Sequence, residues 1–270
     1  MYRGYDQAEL NRQYSPSSLV DDIGLYLAEY TSRSAEARRL LPAHLDLPYG
    51  PQPWQRFDYF PALRPNAPLH VFVHGGFWQQ LDKSDSSYPA LAFVPAGVAF
   101  AALGYGLAPT HSLDTIVADV RMGLRHLATT LADLPGTPSA IHLSGHSAGA
   151  HLVAMTLLAD DAADLFASAT LLSGVYDLAP VQHTYVNDAV RMDADSARRN
   201  SPLLTLPRRL PKLVVAVGEH ETQEFGRQHV EFVAAARERG GQVEDLVVAG
   251  RNHFDLPLDL GVAGTPLSGR

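Results

Sequence analysis

Apolar positions along this chain follow two rhythms. From about residue 55, short and nearly continuous apolar runs alternate with longer stretches in which apolar residues return every three or four positions. The short runs are "RFDYFPA" (56–62), "PLHVFVHGG" (68–76), "GVAFAALGYG" (97–106), "SAIHLSG" (139–145), "ASATLLSGVYD" (167–177), "PKLVVAVGEH" (211–220) and "QVEDLVVAG" (242–250). They read as strands. "TIVADVRMGLRHLATTLADL" (115–134), "AGAHLVAMTLLA" (148–159) and "EFGRQHVEFVAAARERGG" (224–241), the last with a glycine stop, read as helices. Strands that are apolar throughout must be buried on both faces. Alternation with helices then predicts an α/β domain with a mostly parallel central sheet and helices on both sides. Residues 1–50 are more polar, with helical spacing over 17–40, and read as an N-terminal arm or cap on a catalytic domain spanning 51–270. Residues 178–208 exceed a normal crossover and predict short helices forming a partial lid.

In parallel sheets the reactive groups collect in loops at the carboxyl ends of the strands. Three such loops carry unusual residues: "HGGFW" (74–78), "GHSAG" (145–149) and "RNHFD" (251–255). "GHSAG" has the G-x-S-x-G spacing of a nucleophile elbow. A simple glycine-rich turn would have the same composition. Here a strand precedes it and a helix follows, which is the context the elbow requires, with Ser147 at the apex.

A serine hydroxyl needs a base to take its proton. Of the 12 histidines, His253 lies just past the last strand, where that base is expected. His146 and His151 flank the elbow and read as local hydrogen-bonding or packing groups. His44, His111, His126, His183 and His229 read as surface residues, and His74 as a structural hydrogen bonder. The acid that orients the imidazole should follow a strand between Ser147 and His253. Glu221, three residues past Gly218, is the first choice, Glu219 the second and Asp177 the third. For the oxyanion of a tetrahedral intermediate, the candidate donors are the backbone amides of Ala148 and of Gly75, Gly76 and Phe77. Phe77, Trp78, Tyr88 and Tyr105, with His146, are candidates to line a substrate pocket.

Composition narrows the chemistry. The 270 residues are 46% hydrophobic, enough for one substantial core. The net charge is −8, and no basic cluster exceeds "PRRLPK" (207–212), which argues against a nucleic-acid partner. The absence of cysteine excludes disulfides, a thiol nucleophile and cysteine-ligated zinc. No apolar run reaches the roughly 18 residues of a membrane span, and no signal-peptide core opens the chain. The expectation is a cytoplasmic protein without membrane association, needing no metal or other cofactor and compatible with a homodimer.

The ordered set HGG, GHSAG, acid and histidine resembles that of the α/β-hydrolase fold, on its HGG-bearing esterase branch. More closely, "HGGFWQQLDKSDSSY", "GHSAGAHL", "SGVYDLAPV", "TYVNDAVRMDADSARRNSPLL", "GEHETQEFGRQ" and "NHFD" resemble segments of the serine-dependent kynurenine formamidases, or arylformamidases. "YRGYDQAELNRQY" is similar to the start of bacterial members. The resemblance implies hydrolysis of N-formyl-L-kynurenine to formate and L-kynurenine. Ser147 would be the nucleophile, His253 the base and Glu221 the acid. The departures are Phe77, where tyrosine is common, and Glu221, where aspartate is common. Two alternatives stand beside this reading: a broad carboxylesterase acting on aryl or acyl esters with the same residues, and a non-catalytic ligand-binding protein on a hydrolase fold.

Overall fold

A computed structural model describes residues 2–269. The described residues form one eight-stranded sheet. Its strands are β1 (His44–Pro48), β2 (Arg56–Phe60), β3 (Leu69–Val73), β4 (Ala99–Leu103), β5 (Ile141–His146), β6 (Ser168–Leu172), β7 (Lys212–His220) and β8 (Val243–Asn252). The spatial order is β1-β2-β4-β3-β5-β6-β7-β8. β1, β2 and β4 pair antiparallel, and every neighbour from β4 to β8 is parallel. This is the α/β-hydrolase architecture. β3 and β4 are buried at every position, as their unbroken apolar runs require. β8 lies at an edge and is only partly covered.

Alternate side chains along the strands enter two cores. Leu69, Val71 and Val73 face the helices Leu113–Thr129 and Ala148–Thr156, and this core also takes in Phe225 and Phe232 of the helix Gln223–Glu238. Phe72, Phe100, Ala102 and Ala216 face the other side, which is covered by the helix Ile23–Leu40 and by Leu256, Leu260 and Leu267 near the C-terminus. The first 50 residues thus serve both faces. Leu10 and Tyr14 belong to the first core, Tyr30 and Ala37 to the second.

The local endings follow from capping chemistry. Ser112 accepts from the Thr115 amide at 3.2 Å and starts its helix, and Gly240 at φ +86° ends the helix Gln223–Glu238. Two features depart from the sequence pattern. β1 falls inside the segment read as an arm, and its Asp46 joins Asp58 of β2 on the largely buried Lys83, at 2.7 and 2.8 Å. His229, expected on the surface, is buried with Nε2 2.7 Å from Asp245. It sits on the inward stripe of its helix, where a carboxylate from β8 reaches it.

Buried histidines give the fold a pH dependence. His70 of β3 contacts Ser144 of β5 at 2.6 Å and stacks on Phe93. Burial, reinforced by the nearby His142, holds its pKa down at about 3. Burial also lowers His151 to about 4, partly opposed by its bond to the Asn200 carbonyl. The unfolded chain therefore binds protons that the folded chain refuses. The stability from these neutral rings is complete above about pH 6.5 and is lost as pH falls toward 4. Urea unfolding between pH 7 and pH 4.5 should show stability falling with acid, at up to about 1.4 kcal/mol per pH unit per histidine. His70→Asn should reduce that slope by about one proton. An unchanged slope would mean that His70 titrates alike in both states.

Candidate active site

β5 turns into the helix Ala148–Thr156 through the single residue Ser147. Its backbone adopts φ 55°, ψ −120°, a strained conformation for a residue with a side chain. Bonds on both sides hold it there. The Ser147 amide donates to Leu172 at the end of β6 at 2.8 Å, and its carbonyl accepts from His151 at 3.1 Å. The flanking glycines answer to contact. A Cβ on Gly149 would lie 2.0 Å from the Val73 carbonyl oxygen of β3, and one on Gly145 would lie 2.4 Å from the Gly149 carbonyl oxygen. The helix start crosses the strand ends too closely for any side chain.

His253 follows β8 in a turn organised by Asn252. The Asn252 side chain accepts from the amides of Phe254 and Asp255 at 2.8 and 3.1 Å, while Asp255 accepts from the Asn252 amide at 2.7 Å. His253 Nδ1 meets Glu221 Oε2 at 2.9 Å, and both side chains are buried. Phe225 closes over the imidazole edge-on at 4.7 Å. The other two acid candidates are elsewhere. Glu219 is exposed and accepts from the Gly250 amide at 2.7 Å. Asp177 accepts from the Ala179 amide and lies 3.7 Å from Arg227. Among the described residues no direct hydrogen bond joins the Ser147 hydroxyl to His253. The two residues line one cavity.

That cavity has a volume of about 440 Å³. Gly76 and Phe77 line it beside Ser147. Gly76 (φ +95°), Phe77 (φ 48°) and Trp78 (φ 62°) form a tight left-handed run, and the Gly76 carbonyl accepts from the amides of Gln79 and Gln80. Ala148 opens the elbow helix, so its amide is one of the first-turn donors with no helical partner. Gly75 lies behind this surface. A Cβ there would come within 2.9 Å of the His146 carbonyl oxygen, so Gly75 lets the loop pass against the elbow. Burial, and next the charge of His253, hold the His146 pKa well below its ordinary value. The neutral His146 ring lines the cavity and contacts the His253 carbonyl through Nε2 at 2.8 Å.

Three aromatic residues expected in the pocket are in the core instead. Trp78 is fully buried and donates to His151 Nδ1 at 3.1 Å. Tyr105 stacks on His74 at 4.2 Å and donates to the His74 carbonyl at 2.8 Å. Tyr88 stacks on Tyr30 at 5.2 Å and does not reach the cavity. Proximity in sequence to the HGG loop says nothing about side-chain direction, and in each case a buried polar partner or ring draws the side chain inward.

The cavity walls come largely from segments that carry no motif. Pro16, Ser17, Ile23, Leu27 and Tyr30 line it from the arm, and Tyr185 and Val186 from the segment 178–208. The arm crosses the carboxyl ends of the strands on its way from one core to the other. One readable signal pointed there: Ile23, Leu27 and Tyr30 recur at helical spacing and form one apolar stripe. The Tyr30 hydroxyl bonds the Phe254 carbonyl, and Tyr26 accepts from Asn252 at 3.0 Å, so the arm grips the His253 turn on both sides. None of the lining residues is Asp, Glu, Lys or Arg. Among the described residues no cluster of three or more His, Cys, Asp or Glu is arranged to hold a metal, and no helix is long and apolar enough to cross a membrane.

A family model described as BD-FAE matches residues 59–169. The kynurenine formamidase of Danio rerio is 33% identical over 94% of this chain and 92% of its own length. That of Salmo salar is 33% identical with the same coverage. Among solved structures, a protein from a Silicibacter species, described provisionally as a thioesterase, superposes with TM-score 0.86 at 28% identity, over 96% of this chain and 97% of that one. A Pyrobaculum calidifontis esterase shares the fold, with TM-score 0.71 at 16% identity over 93% and 90%.

The glycine contacts predict a contrast in stability. Gly149→Ala should destabilise by about 1–3 kcal/mol or more, because the Val73 backbone must move. Gly226→Ala, in open space on the helix Gln223–Glu238, should stabilise by about 0.5–1 kcal/mol. Urea unfolding of both variants checks this, and equal effects would contradict the close crossing at the elbow.

Proposed function

The chain belongs to the kynurenine formamidase family of α/β-hydrolases, and on that premise we propose that this hydrolase cleaves aryl formamides, with N-formyl-L-kynurenine as the first substrate to test, through a serine nucleophile. The observation that carries the reading is the buried His253–Glu221 pair at 2.9 Å, whose imidazole lines the same cavity as a strained serine at a helix start.

Glu221 accepts a hydrogen bond from the Nδ1–H of His253, which leaves Nε2 free to act as base. His253 takes the Ser147 proton as Oγ attacks the formyl carbon. The C=O electrons move to oxygen, and the amides of Gly76, Phe77 and Ala148 receive that charge. One such donor is worth about 3–4 kcal/mol in the transition state. The C–N bond then breaks as His253 returns its proton to the departing aryl amine. A formyl ester remains on Ser147. Water, deprotonated by the same imidazole, attacks it, and collapse of the second tetrahedral intermediate releases formate and restores the serine. All proton transfers run through one ring, so no metal or organic cofactor enters these steps.

One observation favours a second reading. The cavity walls carry no charged side chain that would meet the carboxylate of an amino-acid substrate. An uncharged aryl or acyl ester fits such a lining, which supports a carboxylesterase working by the same steps.

The test is kcat/KM on N-formyl-L-kynurenine, formanilide, p-nitrophenyl acetate and p-nitrophenyl butyrate. Preference for the formamides supports arylformamidase activity. Ester turnover with little formamide cleavage supports the carboxylesterase. Ser147→Ala should abolish turnover on all four with the fold intact, and near-native rates in that variant would reject the mechanism. Glu221→Gln should lower kcat by about 10²–10⁴-fold. If Glu219→Gln or Asp177→Asn does so instead, the acid has been misassigned.

A further inference from the structure

We infer that Ser173 is a positioning residue of the catalytic apparatus, holding Glu221 in the one orientation that serves His253. The inference rests on the triad reading above. β6 ends at Leu172, and Ser173 is the next residue. Its backbone lies in the left-handed region at φ 47°, unusual for serine, and the residue is buried. The chain is tied on both sides at this point. The Leu172 carbonyl accepts from the Ser147 amide at 2.8 Å, and the Ser173 amide donates to Ala216 of β7 at 2.8 Å. Ser173 therefore stands between the nucleophile's turn and the strand that leads to the acid. Its hydroxyl donates to Glu221 Oε1 at 2.5 Å, while Glu221 Oε2 meets His253 Nδ1 at 2.9 Å. One carboxylate thus carries one fixed partner on each oxygen.

The physical need is clear. A carboxylate buried to this degree is stable only when its oxygens accept hydrogen bonds. Glutamate also has three side-chain torsions, one more than aspartate, so a single bond to a mobile imidazole leaves its rotation underdetermined. The Ser173 hydroxyl, mounted on a backbone pinned by two strands, removes that freedom. The left-handed backbone aims the hydroxyl at the acid loop rather than along β6. A strained residue retained beside reacting groups is where strain is expected to serve a purpose.

The experiment is a double-mutant cycle on the intact protein, read with p-nitrophenyl acetate and formanilide. Ser173→Ala should lower kcat by about 10–100-fold with KM changed less than about threefold, because Ser173 touches Glu221 and not the substrate. The acid limb of kcat/KM against pH should move to lower pH, since a loosened carboxylate stabilises the His253 imidazolium less. Ser173→Gly provides the second variant. Glycine suits φ 47° better than alanine, so Ser173→Gly should be more stable than Ser173→Ala while activity falls equally in both. In a Glu221→Ala background, removing the Ser173 hydroxyl should have almost no further effect. The same loss in both backgrounds, or no loss in either, overturns the inference. A Glu221→Ala variant that retains full activity would instead reject the underlying triad, a distinct failure.

Discussion

A strand that becomes a helix within one residue must bring the helix start across the ends of neighbouring strands. In this protein the approach is so close that a Cβ on Gly149 would lie 2.0 Å from the Val73 carbonyl oxygen. Everything in the site is arranged around that crossing. It forces Ser147 into a strained backbone at the apex and turns the first-turn amides of the helix toward the cavity. It also requires small residues on the facing loop, where Gly75 passes against the His146 carbonyl. Neighbouring strands hold the strain in place, through the bond from Ser147 to Leu172 and the continuation of the ladder at Ser173 and Ala216.

Around this rigid centre the chain separates charge from reaction space. Carboxylates and guanidinium groups near the site are paired away from the cavity: Glu224 and Glu231 with Arg227, Asp114 with Arg199, Asp259 with Arg251. His146 and His151 are buried and held neutral. What remains inside is a neutral, partly aromatic wall with one imidazole whose carboxylate partner stands behind it. In such surroundings directed hydrogen bonds count for more than they do in water.

The N-terminal segment ties the loops that carry Glu221 and His253 together. Gln13 accepts from the Thr222 hydroxyl through its carbonyl at 2.6 Å and from the Glu224 amide through its side chain at 3.1 Å, just after Glu221 at the start of the helix Gln223–Glu238. Further along, Tyr26 and Tyr30 hold the turn that carries His253. Residues between these two anchors, Pro16 and Ser17, become cavity wall. The arm therefore fixes the loops while it shapes the cavity, and its two anchors lie on opposite faces of the sheet.

The sequence alone was enough for the α/β order, for most of the strands, and for Ser147 and His253 as candidates that line one cavity, with Glu221 bonded to His253 behind it. The reason is that these features are local. Apolar rhythm reports burial, glycine spacing reports a close backbone crossing, and chain order along a parallel sheet places loops at one end. β1, the buried His229 and the roles of Ser173 and Gln13 were not legible, because each depends on a partner in another element of the fold. The same limit explains Trp78, Tyr88 and Tyr105. They sit near the motifs in sequence, yet His151, Tyr30 and His74 draw them into the core. Side-chain direction and pocket lining are set by which elements meet across the top of the sheet. Only the tertiary structure decides that, since a hydrophobic stripe such as Ile23, Leu27 and Tyr30 declares that it must be covered, without declaring by what.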